Sequence, residues 1–378
     1  MRVHVVDPSA FTPPYDHALC SALAAEGVEV TLYTSRFAYG EVPEPQGYER
    51  RESFYRIASR AGSPGPRRAL KLLEHVPDML AYRRAARSAE LVHFQWLALQ
   101  QLDGPLLPRG RPLVLTAHDI LPREPTPGQR RAQQRLYRRF DAVIAHSRHG
   151  ARRLVEELGV EEARVHVIPH GAFEHLAAPT PAAAPVPAAG APAARPAPAP
   201  PPAQCPPVVL CFGLMRPYKG LDLLLDAWGE GLDDAELWIV GMARMDVSPL
   251  RARAPASVRF DERFVADHEL PGLFERAQIV VLPYREAEAS GVLFTALAFG
   301  RPLLLSDVGA FPELAATGAA RLFGAGRPDA LRASLQELLA NEDERERMSA
   351  SALAAAHGPY SWRSVARQTA ALYASLLR

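Results

Sequence analysis

The sequence predicts an α/β protein made of two doubly wound domains, each a parallel sheet covered by helices. Three observations carry this expectation. Short apolar runs alternate with stretches of helical spacing along the 378-residue chain. The runs are apolar at nearly every position, as strands buried on both faces of a parallel sheet require. The rhythm breaks once, at 179–207, where PTPAAAPVPAAGAPAARPAPAPPPAQCPP holds 12 of the 36 prolines in 29 residues. Such a segment cannot bury enough apolar surface to offset the entropy of ordering it, so it reads as a polyproline-like or disordered linker. The expected organisation is therefore an N-terminal domain over 1–178, a linker over 179–207 and a second domain over 208–358.

The elements follow in order. MRVHVV (1–6) reads as a buried strand and DHALCSALAAE (16–26) as a helix, with Asp16 a candidate N-cap. Gly27 ends that helix and VEVTLYT (28–34) is the next strand. LVHFQW (91–96), PLVLTAH (112–118), DAVIAHS (141–147) and VHVIPHG (165–171) are further strands, with RHGARRLVEEL a helix between the last two. Past the linker the rhythm restarts with strand VVLCFG (208–213), helix GLDLLLDAWGE and strand AELWIVG (235–241). Strand VRFDER (258–263), helix HELPGLFERA, strand QIVVLPY (278–284), helix GVLFTALAFG and strand RPLLLSD (301–307) continue it. Residues 327–357 read as helical, and 361–378 as a last helix opened by Ser361 as N-cap. In open parallel sheets ligands sit at the carboxyl ends of the strands, so the crevice between two such domains is the expected site.

Composition removes several function classes. An apolar fraction of 48% is too high for a disordered chain. Lys+Arg of 43 against Asp+Glu of 42 argues against a dedicated nucleic-acid binder. The three cysteines, Cys20, Cys205 and Cys211, show no metal spacing and suit a reducing compartment. MRVHVVDPSA is not a signal peptide, and no apolar run is long enough to span a bilayer. A cytoplasmic location is expected, with contact to the inner face of a membrane left open.

The motifs of the commonest α/β enzymes are missing. No G-x-G-x-x-G follows either first strand, and neither a P-loop nor a G-x-S-x-G elbow occurs. Instead FGLMRPYKG (212–220) follows a strand and opens a helix. Gly213 allows a sharp turn, and Arg216 and Lys219 place two cations that can grip a diphosphate. Their alternative reading is a pair of solvated surface charges. After the strand at 278–284, Glu286 and Glu288 lead into Ser290-Gly291-Val292-Leu293, a helix start suited to an anion or simply to a capped core helix.

This combination resembles the GT-B-fold retaining glycosyltransferases of group 1, or family four. FGLMRPYKG, the acidic loop and Gly-led helix running into TALAFGRP, and SDVGAFPEL (306–314) match the C-terminal half; LTAHDILP, DAVIAHS and VHVIPHG match the N-terminal half. The resemblance implies a metal-independent transfer of sugar from a nucleotide-diphosphate sugar to a hydroxyl acceptor. It implies that Arg216 and Lys219 stabilise the leaving diphosphate, that His118 faces the donor sugar, and that Glu286 or Glu288 serves that sugar. Gly213, Ser290, Gly291, Val292 and Leu293 would complete the donor site, with nucleobase contacts around Phe264 and Val265. It implies no cofactor besides the nucleotide sugar.

One departure stands out. The family's two glutamates spaced E-x₇-E fall here on Ala287 and Thr295. Thr295 offers a ribose only one hydroxyl, which leaves the donor unidentified. The acceptor side falls to the loop Phe11–Asp16, with Tyr15, Asp16 and His17 as candidates. Residues 51–150 carry 18 Lys+Arg against 8 Asp+Glu, and RRALKLLEHV sets Arg among Leu at helical spacing. That segment reads either as a face for an anionic membrane or lipid-phosphate acceptor, or as a solvated helix. A nucleotide-sugar epimerase and a non-catalytic nucleotide-sugar-binding subunit remain the alternative functions, since fold alone does not choose.

Overall fold

The structure is a computed structural model and describes residues 1–37, 40–60, 64–99, 101–120, 128–177, 205–229, 231–288 and 290–378. The linker expected at 179–207 falls outside these apart from 205–207. Among the described residues the strands are β1 (Arg2–Asp7), β2 (Glu29–Ser35), β3 (Glu49–Phe54), β4 (Leu91–Phe94), β5 (Leu113–Thr116), β6 (Ala142–Ala145), β7 (Val165–Val167), β8 (Val208–Phe212), β9 (Glu236–Val240), β10 (Val258–Asp261), β11 (Ala277–Leu282), β12 (Leu303–Ser306) and β13 (Ala320–Phe323). The helices are α1 (Pro13–Ala25), α2 (Pro64–Ala85), α3 (Asp103–Leu106), α4 (Gln129–Tyr137), α5 (Arg148–Glu156), α6 (Glu174–Ala177), α7 (Leu221–Ala227), α8 (Ser248–Arg253), α9 (Leu270–Arg276), α10 (Gly291–Ala298), α11 (Phe311–Ala315), α12 (Pro328–Ala340), α13 (Glu342–His357) and α14 (Trp362–Leu376).

The chain divides into two compact units. Unit 1 is Met1–Phe173 with Ala287–Phe294 and Ala355–Arg378; unit 2 is Glu174–Glu286 with Thr295–Ala354. Unit 1 holds a seven-stranded sheet in the order β3-β2-β1-β4-β5-β6-β7, and unit 2 a six-stranded sheet in the order β10-β9-β8-β11-β12-β13. Every pairing is parallel. Strand order reverses between β1 and β4 in the first sheet and between β8 and β11 in the second. At such a reversal the following connections leave to opposite faces, so the loops at the carboxyl ends part and leave room for a ligand.

Local chemistry explains the helix ends. Pro13 and Pro14 pre-set φ for a first turn and need no N–H partner there, so α1 starts at Pro13 with Thr12 as its cap residue. Asp16 lies inside the first turn, which corrects the expectation that it caps the helix. Ser361 does cap α14, its side chain accepting from the Ser364 amide. α14 packs on α1, and the Tyr373 hydroxyl reaches His93 Nδ1 at 2.5 Å. Gly171 takes the Trp362 ring against its backbone; a Cβ there would lie 2.4 Å from that ring.

Two strands escape a reading based on apolar runs. β3 is the edge strand ERRESF, whose side chains are mostly solvated, and β13 is the edge strand ARLF, only partly buried. Edge strands do not need the continuous apolar run that a central parallel strand shows. The core of unit 1 gathers Phe54, Tyr55, Met79, Phe94 and Phe140; that of unit 2 gathers Leu224, Leu237, Ile279, Val281, Leu331 and Leu335.

Unit 2 has two close backbone approaches at the carboxyl end of its sheet. Gly241, at φ +140°, has the Gly213 carbonyl oxygen 2.2 Å from where its Cβ would stand. Gly220, at φ +67°, has the Pro283 carbonyl oxygen at 2.0 Å from the same point. Gly220→Ala therefore combines a left-handed backbone with a backbone clash. It should destabilise the protein by at least about 2 kcal/mol, read as a lowered urea midpoint at unchanged m-value.

Candidate functional sites

In unit 2 the loop after β8, at the strand-order reversal, carries Gly213, Arg216 and Lys219. Backbone bonds hold it on both sides. The amides of Gly213 and Met215 donate to the carbonyls of Val240 and Met242 at 2.9 Å, tying it to the loop after β9. The Arg285 amide donates to Tyr218 O at 2.7 Å, and the Arg285 guanidinium bonds Pro217 O and Asp222, tying it to the loop after β11. On this frame Arg216 is exposed, in an extended conformation just before a 3-10 turn, Pro217–Lys219. Lys219 is buried, with Nζ 5.0 Å above the Tyr284 ring. The cation–π contact compensates part of the desolvation of the ammonium. The same charge counteracts the burial that pushes the Cys211 thiol up to about 11.

Glu286 leaves β11 exposed to solvent, also in unit 2. Thr295 is buried in the middle of α10. Phe264 is exposed and Val265 buried in the loop after β10, where Glu269 closes the turn by accepting from the Ala266 amide.

The remaining candidates lie in unit 1. Glu288 accepts from the Ile120 amide at 2.6 Å and pairs with Arg153 on α5. Arg153 also grips Glu157 one turn on, at 2.6 Å. Ser290 is buried, with Gly291 exposed, Val292 half-buried and Leu293 buried at the start of α10. The Ser290 carbonyl accepts from the Leu293 amide at 3.0 Å. Tyr15, Asp16 and His17 are all buried: the Tyr15 ring stands edge-on to His118 at 4.7 Å and His170 at 4.8 Å, and His17 Nδ1 lies 3.1 Å from the Tyr48 hydroxyl.

His118 lies two residues beyond β5 rather than at its last position. It forms the inner end of a column of rings at the reversal point of the first sheet. Phe11 stacks on Trp96 at 4.7 Å, and Trp96 on His118 at 4.8 Å. Phe11, after β1, is exposed, so the column runs from solvent to the interior. Behind it His118 Nδ1 meets His146 Nε2 at 3.2 Å, and His146 Nδ1 meets the Ile168 carbonyl at 3.1 Å. A carbonyl only accepts, so His146 carries its proton on Nδ1 and its Nε2 is an acceptor towards His118. His118 thus stands between two acceptors, His146 Nε2 at its Nδ1 and Gln95 Oε1 at 3.1 Å from its Nε2, and its single ring proton serves one of them. Burial holds all three rings neutral: it lowers His146 to about 4, and His118 and His170 well below 6.5, with the neighbouring histidines adding to it for the last two. The cluster is a fixed chain of neutral donors and acceptors, not a patch of positive charge.

The column borders a cavity of about 540 Å³ wholly within unit 1. Its walls include Phe11, Trp96, Leu102, Leu115 and Tyr137, with Gln95, Gln133 and Asp119 as polar points. Among the described residues no group of three or more His, Cys, Asp and Glu is placed to hold a metal ion.

Sequence reasoning missed what holds the column. Asp7, the last residue of β1, is fully buried and accepts from the amides of Ser9 at 3.1 Å, Phe11 at 2.5 Å and Thr12 at 3.4 Å. The Thr12 hydroxyl then accepts from Trp96 Nε1 at 3.1 Å. A lone acid ending an otherwise apolar strand was the available signal. Asp7 faces a second buried carboxyl, Asp16, across the loop. Both are pushed above the ordinary 3.8, first by burial and, for Asp16, next by the Asp7 charge. The three amides favour an ionised Asp7, so Asp16 keeps the proton and donates it to Asp7.

This pair has a definite pH consequence. The folded chain holds a proton that the unfolded chain releases near the ordinary value. Its contribution is therefore fully present below about pH 4 and declines as pH rises towards the folded value. Asp16→Asn supplies the donated hydrogen bond without a titrating proton. Near pH 8 it should melt higher than the wild type, and near pH 4 no higher, in thermal denaturation at the two pH values.

Comparison with known proteins supplies the family. Residues 15–172 match the model of Glycosyltransferase Family 4, and residues 206–341 that of Glycosyl transferases group 1. The lipopolysaccharide core biosynthesis mannosyltransferase LpsB of Rhizobium meliloti (strain 1021) is 31% identical over 180 residues, 44% of this chain and 51% of that protein. The chain thus spans about half the length of this relative, and 43% of a mannosylfructose-phosphate synthase from Agrobacterium fabrum at 26% identity over 46% of the chain. The D-inositol 3-phosphate glycosyltransferase of Corynebacterium glutamicum (strain R) is 26% identical over 95% of the chain and 90% of its own length. Among solved structures, sucrose-phosphate synthase from Thermosynechococcus elongatus superposes with TM-score 0.72 at 18% identity, covering 100% of this chain and 99% of that one. Anabaena HepE in complex with UDP and glucose gives 0.71 at 20% identity, covering 99% and 100%. At these identities the structures establish a shared GT-B fold.

Proposed function

Because the chain belongs to the group 1 glycosyltransferases, we propose that it transfers a sugar from a nucleotide-diphosphate sugar to a hydroxyl acceptor, with retention and without a divalent metal. The observation that carries the reading is Arg216 and Lys219 on a loop held at the strand-order reversal of unit 2. The donor's diphosphate would lie on this pair. As the C1–O bond to phosphate breaks, negative charge grows on the leaving group, and two preplaced cations stabilise it more than they stabilise the bound donor. They would do so in place of a metal ion.

In this mechanism the acceptor oxygen attacks C1 on the face the phosphate leaves. The transition state is oxocarbenium-like, and the departing phosphate oxygen takes the acceptor's proton. Little further acid–base chemistry is then required, and positioning dominates. The neutral His118 suits that role, since a hydrogen-bonding ring beside C1 orients the sugar without repelling the growing positive charge. Glu286 would hold sugar hydroxyls, and Gly213 with the start of α10 at Ser290–Val292 the phosphates. The cavity in unit 1, with its aromatic wall and polar points such as Gln95, His118, Asp119 and Gln133, suits an acceptor with an apolar body or a stacked sugar ring. Carbohydrate, lipid-linked and small-molecule acceptors are the candidates, and the work would be done in the cytoplasm.

The test is turnover of the nucleotide sugar. Arg216→Ala and Lys219→Ala should each lower kcat by about 10² or more. Chelator should leave the wild-type rate unchanged. Wild-type turnover in both variants would remove these residues from the mechanism, and loss of activity restored by added magnesium would remove metal independence.

A further inference from the structure

The long helix α2 presents an outer face that the transfer reaction leaves unused. Leu72, Leu73, Val76 and Leu80 recur at the spacing of one stripe and are exposed, Leu73 by 72% and Leu72 by 58%. Ala69, Pro77 and Ala81, also exposed, widen the stripe. The opposite face is well packed: His75, Met79 and Tyr82 are buried in unit 1. An amphipathic surface helix normally turns its apolar stripe inward and its charges out. Here apolar residues occupy both faces, so the outer one is not explained by the core.

The charges of α2 sharpen the point. Its two acids are directed away from the outer stripe and consumed by backbone. Glu74 accepts from the amides of Ile57 at 2.9 Å and Ala58 at 2.7 Å, and Asp78 accepts from the Tyr55 amide at 2.7 Å. The exposed ends of the stripe carry Arg68 and Arg84, and the adjoining turn carries exposed Arg56 and Ile57. Glu52 stands exposed with Arg36, Arg56 and Arg60, so that neighbourhood still has a surplus of basic groups. A contiguous apolar stripe rimmed by arginines, with its own acids turned in, is complementary to an anionic lipid surface: the side chains enter the acyl boundary and the guanidiniums meet phosphates.

We infer that the outer face of α2 docks unit 1 on an anionic bilayer. Leu72 also lines the cavity beside the Phe11–Trp96–His118 column, so a docked helix would set the cavity wall against the lipid boundary. Docking does not depend on the proposed reaction, because vesicle binding requires no donor and no turnover.

The experiment is co-flotation of the full chain with phosphatidylcholine vesicles, with and without phosphatidylglycerol. The wild type should partition to the anionic vesicles at least about tenfold better than to the neutral ones, and lose that preference at high salt. The pair Leu73→Glu and Val76→Glu lies on the outer stripe away from the cavity lining. It should lower partitioning about tenfold or more, with unchanged circular dichroism and nucleotide binding. Should that variant fail to fold, Arg68→Glu with Arg84→Glu tests the electrostatic half and should abolish the anionic preference. Equal binding to both vesicle types, or a folded stripe variant that still floats, would overturn the inference. So would concentration-dependent dimerisation of the wild type that the stripe variant abolishes, because a second copy would then cover the face.

Discussion

The loop that carries Arg216 and Lys219 depends on backbone meeting backbone with no side chain between them. Gly241 lies against the Gly213 carbonyl and Gly220 against the Pro283 carbonyl, each closer than any Cβ allows. Both glycines adopt positive φ, so space and conformation impose the same residue. The proposed diphosphate site rests on the consequence. The loop after β8 is fastened to the loops after β9 and β11, and two cations are held where the sheet reverses its strand order. A cation held before the charge develops stabilises it without reorganisation, the form of electrostatic catalysis that costs least at the moment of reaction.

Unit 1 solves a related problem with a carboxylate instead of glycines. Asp7 ends a central strand and collects three loop amides, which fixes Phe11 and Thr12; Thr12 in turn fixes Trp96, and Trp96 covers His118. A buried ionised carboxyl is expensive unless its hydrogen bonds are complete. The proton on Asp16 supplies the last of them. The hydrogen bonds of Asp7 thus lead through Thr12 to Trp96, whose stacking on His118 joins them to the neutral histidines past β5, β6 and β7. This set of groups positions rather than titrates: burial holds His93, to about 3, and His146, to about 4, away from neutral pH.

Much of the fold was legible in the sequence because central parallel strands are apolar throughout and punctuated by turns. Runs such as VVLCF and QIVVL have no other stable use in a chain of this composition. What stayed hidden were elements without that pressure: the solvated edge strand ERRESF, the partly exposed ARLF, and the start of α1, which the prolines at 13 and 14 set three residues before Asp16. Arg216 and Lys219 stand out in the sequence because cations near a helix start oppose its dipole, and the structure places both on the loop after β8. Asp7, Gln95 and Trp96 do not stand out, because their roles come from residues brought together by the sheet: Trp96 meets Phe11 from a different strand end, and Asp7 meets Asp16 across a loop. Glu288 shows the reverse limit. Its place in an acidic loop suggests solvent or ligand, whereas its side chain is shared by the Ile120 amide and Arg153.

The central claim is that the β8 loop recognises a diphosphate. Calorimetric titration of nucleoside diphosphates against the monophosphates of the same base measures this without chemistry or acceptor. The wild type should bind the diphosphate of its preferred base at least about tenfold more tightly than the monophosphate, about 1.4 kcal/mol or more. In the Arg216→Ala, Lys219→Ala double variant that ratio should fall to near one. A wild type that binds both equally, or a folded double variant that keeps the preference, would contradict the account.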